Sequence, residues 1–457
     1  MGILNRIKEA VNRLLDKDGA ERLGAKETSA MRDAVREWDD VFFRSKMPKC
    51  AVAMAVLVTD YLATLSASEI ALSAGSSPRG EWIERETAAT MVPVLHDAVQ
   101  MAAQGGMAAV KPYVRGGHVY VEVIPRSRIA VRRWGPLGRA ESGFFTDFDR
   151  LPDGSPVCRV EDFDLGTDTL RITNTVYRLR TGRMLGGELP LESVERWAAL
   201  APKVEIQNVD RPHFGLLRMP GANNIDASPA PVSFYAQALE SIRQIDETMA
   251  QLYWERDTGK RRMMIDRTMA AADPLTGKVP LSFRQLSPDF TISMDMPDKA
   301  PWSDYTPSIR IEEYRKTLET QFRVLEMQTG LSQGTFSIEP RSGRVTATQV
   351  ISDDRTTYNT VLAVQTRGLA SGLRDALYWF DAYASLYSLA PAGEFEPSVS
   401  FGDSIFEDTG TEFARRLSLA NAGYLRPELL NAWYFGVDED SARAMLPDDS
   451  PGAPLTF

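Results

Sequence analysis

The chain has 457 residues, 43% of them apolar and 25% charged, and carries a formal net charge of −10 from 52 basic and 62 acidic side chains. A single hydrophobic core stops growing well below that length, so roughly two to four cores are implied, and the composition is that of an ordinary folded chain. The acidic balance excludes a protein that wraps nucleic acid by neutralising phosphates, and two cysteines far apart, Cys50 and Cys158, exclude a disulfide framework or a thiolate metal cluster and point to a reducing compartment.

In chain order, Ile3, Ile7, Val11 and Leu14 recur at helical spacing among charges, which predicts a short amphipathic helix docked on its own protein and not an export signal. The most apolar run, AVAMAVLVTDYLATL, is too short to span a bilayer and carries Asp60 in its middle, so it is expected to be a buried helix, with no membrane partner. To about Gly106 the pattern is helical, broken by a loop at SAGSSPRG. Then Val119, Val121 and Val123 alternate with His118, Tyr120 and Glu122, and RIAVRRW and DTLRITNTVYRLRTG behave alike, so 107–215 is predicted as a mostly β region. Helices followed by strands, without strict alternation, make the fold class α+β.

Beyond a loop at Asn223, Asn224, Pro229 and Pro231, Ser233 is placed to cap a long helix from Phe234, with Ala238, Ile242, Ile245, Met249 and Leu252 on its packed face. A small β-containing insert is expected over 261–302, where FTISMDM alternates. A second helix runs from about Pro307, with Leu318, Phe322 and Leu325 on one face and Gly330 placed to end it. After a glycine-punctuated loop, a helix from Thr346 to Leu389 keeps Leu362, Leu369, Leu373, Leu377 and Phe380 in register, with Gly368 and Gly372 as kink positions. VSFGDSIFED reads as a strand and turn, and short helices follow, one with Pro427 in its first turn and one capped by Asp438.

Little chemistry is legible. His96, His118 and His213 are isolated in sequence, no phosphate-binding G-x-x-x-x-G-K-[ST] occurs, no G-x-S-x-G occurs, and the paired acids Asp39/Asp40, Asp353/Asp354 and Asp448/Asp449 read as solvated surface, since neighbours on a helix point apart. Arg132 and Arg133 read as a solvated strand face, and Lys260, Arg261 and Arg262 as a snorkelling helix end. No catalytic residue, cofactor or metal is expected.

The order of elements, together with GGMAAVKPYV followed by VEVIPRSRIAVRRW, GANNIDASP ahead of QALESIRQIDETMAQLYWE, TATQVISDDRTTYNTV, and SFGDSIFEDTGTE leading to AGYLRPELLNAWYFG, resembles the portal proteins of tailed double-stranded DNA bacteriophages, in the branch also called minor capsid proteins. The resemblance covers about 100–447. It implies a non-enzymatic ring, usually of twelve subunits, at one capsid vertex of the virion, assembled in the host cytoplasm, through which the genome is packaged and ejected. The parts would be a wing over 1–230, stem helices over 231–260 and 303–330, and a clip over 261–302. A tunnel loop over 331–345, a long kinked helix and strand returning to the wing over 346–408, and a small helical crown and tail over 409–457 would complete it.

The clip, with Lys278, Arg284, Asp295 and Lys299 as docking positions, would meet the terminase large subunit and then head-tail connector or adaptor proteins, and major capsid and scaffolding proteins would be further partners. In the tunnel loop Gln333, Arg341, Ser342 and Arg344 would touch passing DNA non-specifically, with Gly330, Gly334 and Gly343 as hinges. Twelve such chains carry roughly −120 formal charges, which lets a duplex slide without sticking. Two alternatives stand beside this: a capsid-associated scaffold without a channel, and a metal-dependent nucleic-acid enzyme built on Asp353 and Asp354.

Overall fold

Thr28 accepts the amide of Met31 at 3.2 Å and starts α1 (Ser29–Phe42), whose inward stripe is Met31, Val35, Trp38, Val41 and Phe42. In this computed structural model residues 27–43, 52–179, 185–259, 262–266, 291–294, 302–305, 308–336, 347–402, 416–435 and 439–445 are described. The amphipathic stretch at 3–14, Cys50, Asp438 and the 448–449 acid pair lie outside them. The chain mixes helices and sheets in the α+β manner.

The apolar run forms α2 (Met54–Ala67), buried through Met54, Val58 and Leu62. Next comes a strand that composition hides, β1 (Ile70–Ser73), which pairs antiparallel with β14 (Ser398–Phe401) through Ile70↔Phe401 and Ser73↔Ser398. Four residues are too few for an alternation to be legible, and the partner lies at the far end of the chain. Helix α3 (Pro78–Thr90) opens on Pro78 with Ser77 as cap, and α4 (Val92–Gly105) follows it. Asp39 departs from the solvated reading: it is buried, and Gln104 of α4 donates to its Oδ1 at 2.7 Å, because Asp39 and Asp40 point apart and one of them must face inward.

The β region divides into two sheets. β2 (Met107–Arg115) lies between β3 (His118–Pro125) and β10 (Gly215–Arg218), all antiparallel. The larger sheet runs β4 (Ile129–Trp134), β5 (Ala140–Arg150), β6 (Pro156–Leu165), β7 (Thr169–Leu179), β8 (Leu185–Leu189), with β9 (Lys203–Gln207) on β7. Met107, Ala109 and Ile124 of the small sheet pack on Phe145, Phe163, Leu165 and Leu170 of the large one, and Phe214 and Trp379 complete this layer. Arg132 pairs with Asp162, and Arg133 with Glu141 and Asp164 at 3.1 Å each, so both cations are neutralised across the sheet.

The long helix expected from Phe234 begins five residues later. Ser233 is buried, its Oγ accepting from Tyr235 N–H and donating to Ala103 O, so it ties a loop to α4, and α5 (Leu239–Thr258) follows a short 3-10 turn. The insert is a three-stranded sheet in which β11 (Arg262–Asp266) lies between β12 (Thr291–Met294), parallel, and β13 (Trp302–Tyr305), antiparallel. Arg262 therefore opens a strand and is not a helix end. Helix α6 (Ile311–Thr329) returns beside α5 and ends at Gly330, which is left-handed with φ +68°. Cross-links Ser241 to Gln328 at 2.7 Å, Gln321 to Thr248 at 3.0 Å and Arg310 to Glu255 at 2.9 Å fix the two helices antiparallel over a span of about 20 Å.

The long helix is α7 (Ala347–Ala363), a π-helical turn over Val364–Leu369, and α8 (Ala370–Leu386). Leu369, Leu373, Leu377 and Phe380 are buried as expected, whereas Leu362 is 41% exposed, because the extra residue per π turn rotates the preceding face outward. Gly368 and Gly372 serve close approach: a Cβ on Gly372 would lie 2.4 Å from Leu216 O, and one on Gly368 2.2 Å from Arg218 O, so both lie against the backbone of β10. Residues of α2, α3, α4, β2, β3 and β10 surround this helix and make the largest core cluster. A second core joins α1, the start of α2, α5, α6 and Leu331. The helix α9 (Pro427–Phe435) opens on Pro427 and packs on α10 (Glu439–Ala444).

Candidate functional site

Of the features that the resemblance would place against a partner, the glycine-punctuated loop is described over its first six residues, 331–336. Gly330 ends α6 in the left-handed conformation, and Gly334 is left-handed too, with φ +86°. Gln333 is exposed between them. Leu331 is buried in the second core, and Phe336 packs at its edge with its ring 6.1 Å from that of Tyr61. Arg341, Ser342, Gly343 and Arg344 lie outside the described residues, as do Lys278, Arg284, Asp295 and Lys299.

Polar bonds hold this root in place. Glu326 accepts Gly334 N–H at 2.9 Å and Phe336 N–H at 2.7 Å. Ser332 N–H donates to Thr357 Oγ1 at 2.8 Å, Thr357 N–H donates back to Ser332 Oγ at 3.2 Å, and Thr360 donates to Gly330 O at 2.7 Å. These partners were missed in the sequence because an isolated Glu, Ser or Thr carries no periodic signal. On α7 and the π turn, Arg355 and Arg367 are exposed, two cations on the helix that the loop joins. Asp353 and Asp354 lie in α7.

The stem-like pair α5 and α6 presents large apolar side chains to solvent: Trp254 is 68% exposed, Met327 70% and Ile311 56%. At the pair's far end Arg310 binds Glu255 through its backbone N–H, Nε and Nη2, and these hydrogen bonds hold the Glu255 carboxyl down to about 2.

Within the body, the histidine that sequence leaves isolated is part of a buried charge network. His213 Nε2 donates to Glu161 Oε1 at 2.7 Å, Lys111 pairs with the same oxygen, and Arg159 donates to Oε2 at 3.0 Å. Burial lowers the His213 imidazole, so it stays neutral. Burial alone would raise Glu161, but Lys111 and the His213 hydrogen bond bring it well below the usual carboxylate range. The network ties β2 and the residues before β10 to β6, joining the two sheets. The exposed His118 sits beside Glu86, at 3.2 Å, and His96 beside Asp60, at 3.5 Å. Among the described residues no group of three or more His, Cys, Asp or Glu side chains is placed to hold a metal, and no helix is long and apolar enough to cross a membrane. Burial raises the Cys158 thiol, which leaves it a weak nucleophile.

No protein-family description and no curated protein sequence matches the chain. Among solved structures, the chain is similar to one from the virion of a native gene transfer agent particle, with a TM-score of 0.44 and 13% identity, covering 94% of this chain and 99% of that one. It is also similar to a chain from the neck of an empty gene transfer agent particle computed with C6 symmetry, with a TM-score of 0.44 and 11% identity, covering 93% and 99%. Likeness at this level assigns neither a fold family nor a function.

Proposed function

We propose that the chain is a portal-type subunit of a phage-like particle, assembling with copies of itself into a ring through which double-stranded DNA passes. One observation carries the reading. Two antiparallel helices, α5 and α6, leave an α+β body, bear a three-stranded module between them, and return through a loop into a 40-residue helical run that re-enters the body core, where β14 lies against it. That is the order of wing, stem, clip, tunnel loop and returning helix that the sequence resemblance implies. The stem supports assembly on physical grounds as well, since Trp254 and Ile311 are exposed toward its far end and Met327 toward the other, apolar side chains that neighbouring copies would cover.

In this reading the chain is a conduit and not an enzyme, it is part of the virion, and a ring of twelve follows from the resemblance. The module at the tip would receive the terminase large subunit and later connector proteins. Packaging energy would come from that motor, as no nucleotide cradle is present in the sequence. The loop after Gly330 would line the narrow part of the channel, where Gln333 and the exposed Arg355, two residues before the loop-bonded Thr357, offer weak, sequence-independent contacts to phosphates. Negative-stain imaging and mass in solution test this directly. Rings with a central hole about 20 Å or more across, wide enough for a duplex, and a mass several times 50.8 kDa support it. A monomer that forms no ring even with scaffold and capsid proteins present refutes it.

A further inference from the structure

Glu326 lies in the last turn of α6, 0% exposed, and among the described residues both partners of its carboxylate are backbone amides of the segment beyond the helix. A buried carboxylate is costly to desolvate, and two charge-assisted bonds to amides two residues apart in a loop offset that cost only while the loop keeps one shape. Ser332 and Thr357, also buried, meet side chain to side chain at 2.8 Å and exchange two further backbone bonds, one in each direction. Thr335 donates to Ser332 O at 2.6 Å, which links the Ser332 turn to the segment that Glu326 holds. The loop root is therefore bound at one end to the helix it leaves and at the other to the helix it joins.

We propose that Glu326, Ser332 and Thr357 form one cooperative latch that positions the root of the channel-facing loop, so that α6 and the second half of α7 carry residues 331–336 as a unit. This rests on the portal reading for its purpose but not for its test. A local, purely structural set of bonds would loosen one at a time. A latch loosens together, so breaking the bond at Thr357 must be felt at amides it never touches.

The test is residue-resolved deuterium exchange on the full-length chain, read at the Ser332, Gly334 and Phe336 amides. Thr357→Val keeps the shape and removes the hydroxyl, Thr357→Ser restores it, and Glu326→Gln keeps the volume and removes the charge. The latch requires Thr357→Val to speed exchange at Gly334 and Phe336 by about tenfold or more, the loss of one strong hydrogen bond, with Thr357→Ser within about threefold of the unaltered protein. Glu326→Gln must speed Ser332 in the same way. The proposal is overturned if each substitution affects only its own bonded amide, or if exchange rises equally across Leu318–Leu325, which would mark general loosening of α6. Imaging the same preparations keeps the two readings apart. Rings with uncoupled exchange sink the latch alone, whereas coupled exchange in a chain that never forms rings supports the latch and removes its channel role.

Discussion

Gly372→Ala inverts the usual rule for glycine in a helix. In an exposed helix interior this change stabilises by about 1 kcal/mol, since alanine gives up less backbone freedom. Here the new Cβ would stand 2.4 Å from Leu216 O and 2.7 Å from Leu216 C, distances that real Cβ atoms do not show. The contact is with backbone of β10, whose other edge partner is β2, so relief requires moving α8 or bending the strand. Inserting one carbon into a packed site costs about 1–3 kcal/mol, and because this clash is with backbone that cannot swing aside the upper part of that range, about 2–3 kcal/mol, applies and leaves a net loss of about 1–2 kcal/mol. Thermal unfolding followed by circular dichroism reads this as a fall in the midpoint of the transition that involves the body, against Ser371→Ala as the control. Ser371 is exposed on the same helix and its replacement should gain a few tenths of a kcal/mol. A Gly372→Ala protein as stable as the unaltered chain would show that α8 does not need the close approach, and that the glycines mark flexibility instead.

Glu161→Ala should cost about 3–5 kcal/mol, because it leaves Lys111 and Arg159 facing a buried site without their carboxylate. Adding Lys111→Met should recover a measurable part in denaturant titrations, and additive losses would contradict a shared network. Arg310→Gln releases the Glu255 carboxyl toward its ordinary value of about 4.3. A depressed folded-state value contributes stability that is present above the unfolded value and is lost as pH falls through the folded one, so the gap in melting temperature between the two proteins should be full above about pH 5 and close toward pH 2. A gap constant across that range would remove the hydrogen-bonded pair as its cause. Trp254→Glu changes a side chain that is 68% exposed, so single-chain stability should move by no more than about 0.5 kcal/mol while the mass in solution falls toward that of one chain. Rings unchanged in number and size would place the subunit contact elsewhere.

Long amphipathic helices and β-branched runs were legible because their periods repeat often enough to be counted. The face of α6, Leu318, Phe322 and Leu325, and the alternation in β7 are of this kind. What escaped had its cause elsewhere in the chain. Strand β1 exists through pairing with β14, and Ser233 looks like a helix cap until Ala103 O claims its hydroxyl. Gly368 and Gly372 read as kink positions because glycine frees the backbone, and the structure adds a second demand that the sequence does not show, their lack of a side chain where β10 approaches. One residue type serves both ends, and only the neighbour decides which applies.

The same limit governs the candidate site. A loop rich in glycine with two arginines is visible in sequence as a place of contact, and the structure adds that its root is held by side chains outside it. Glu326 shares a stem-like helix with Glu312 and Glu313, which face water, and with Glu319, which Arg323 pairs at 3.4 Å, and Thr357 is one of several threonines on α7. Only burial separates them: a carboxylate 0% exposed must find donors, and the nearest available are the amides of the turning backbone. On the proposed portal reading, Glu326 at the end of one long helix and Thr357 within the other would tie the channel-facing loop to both helices, with Ser332 as the third side chain of that connection.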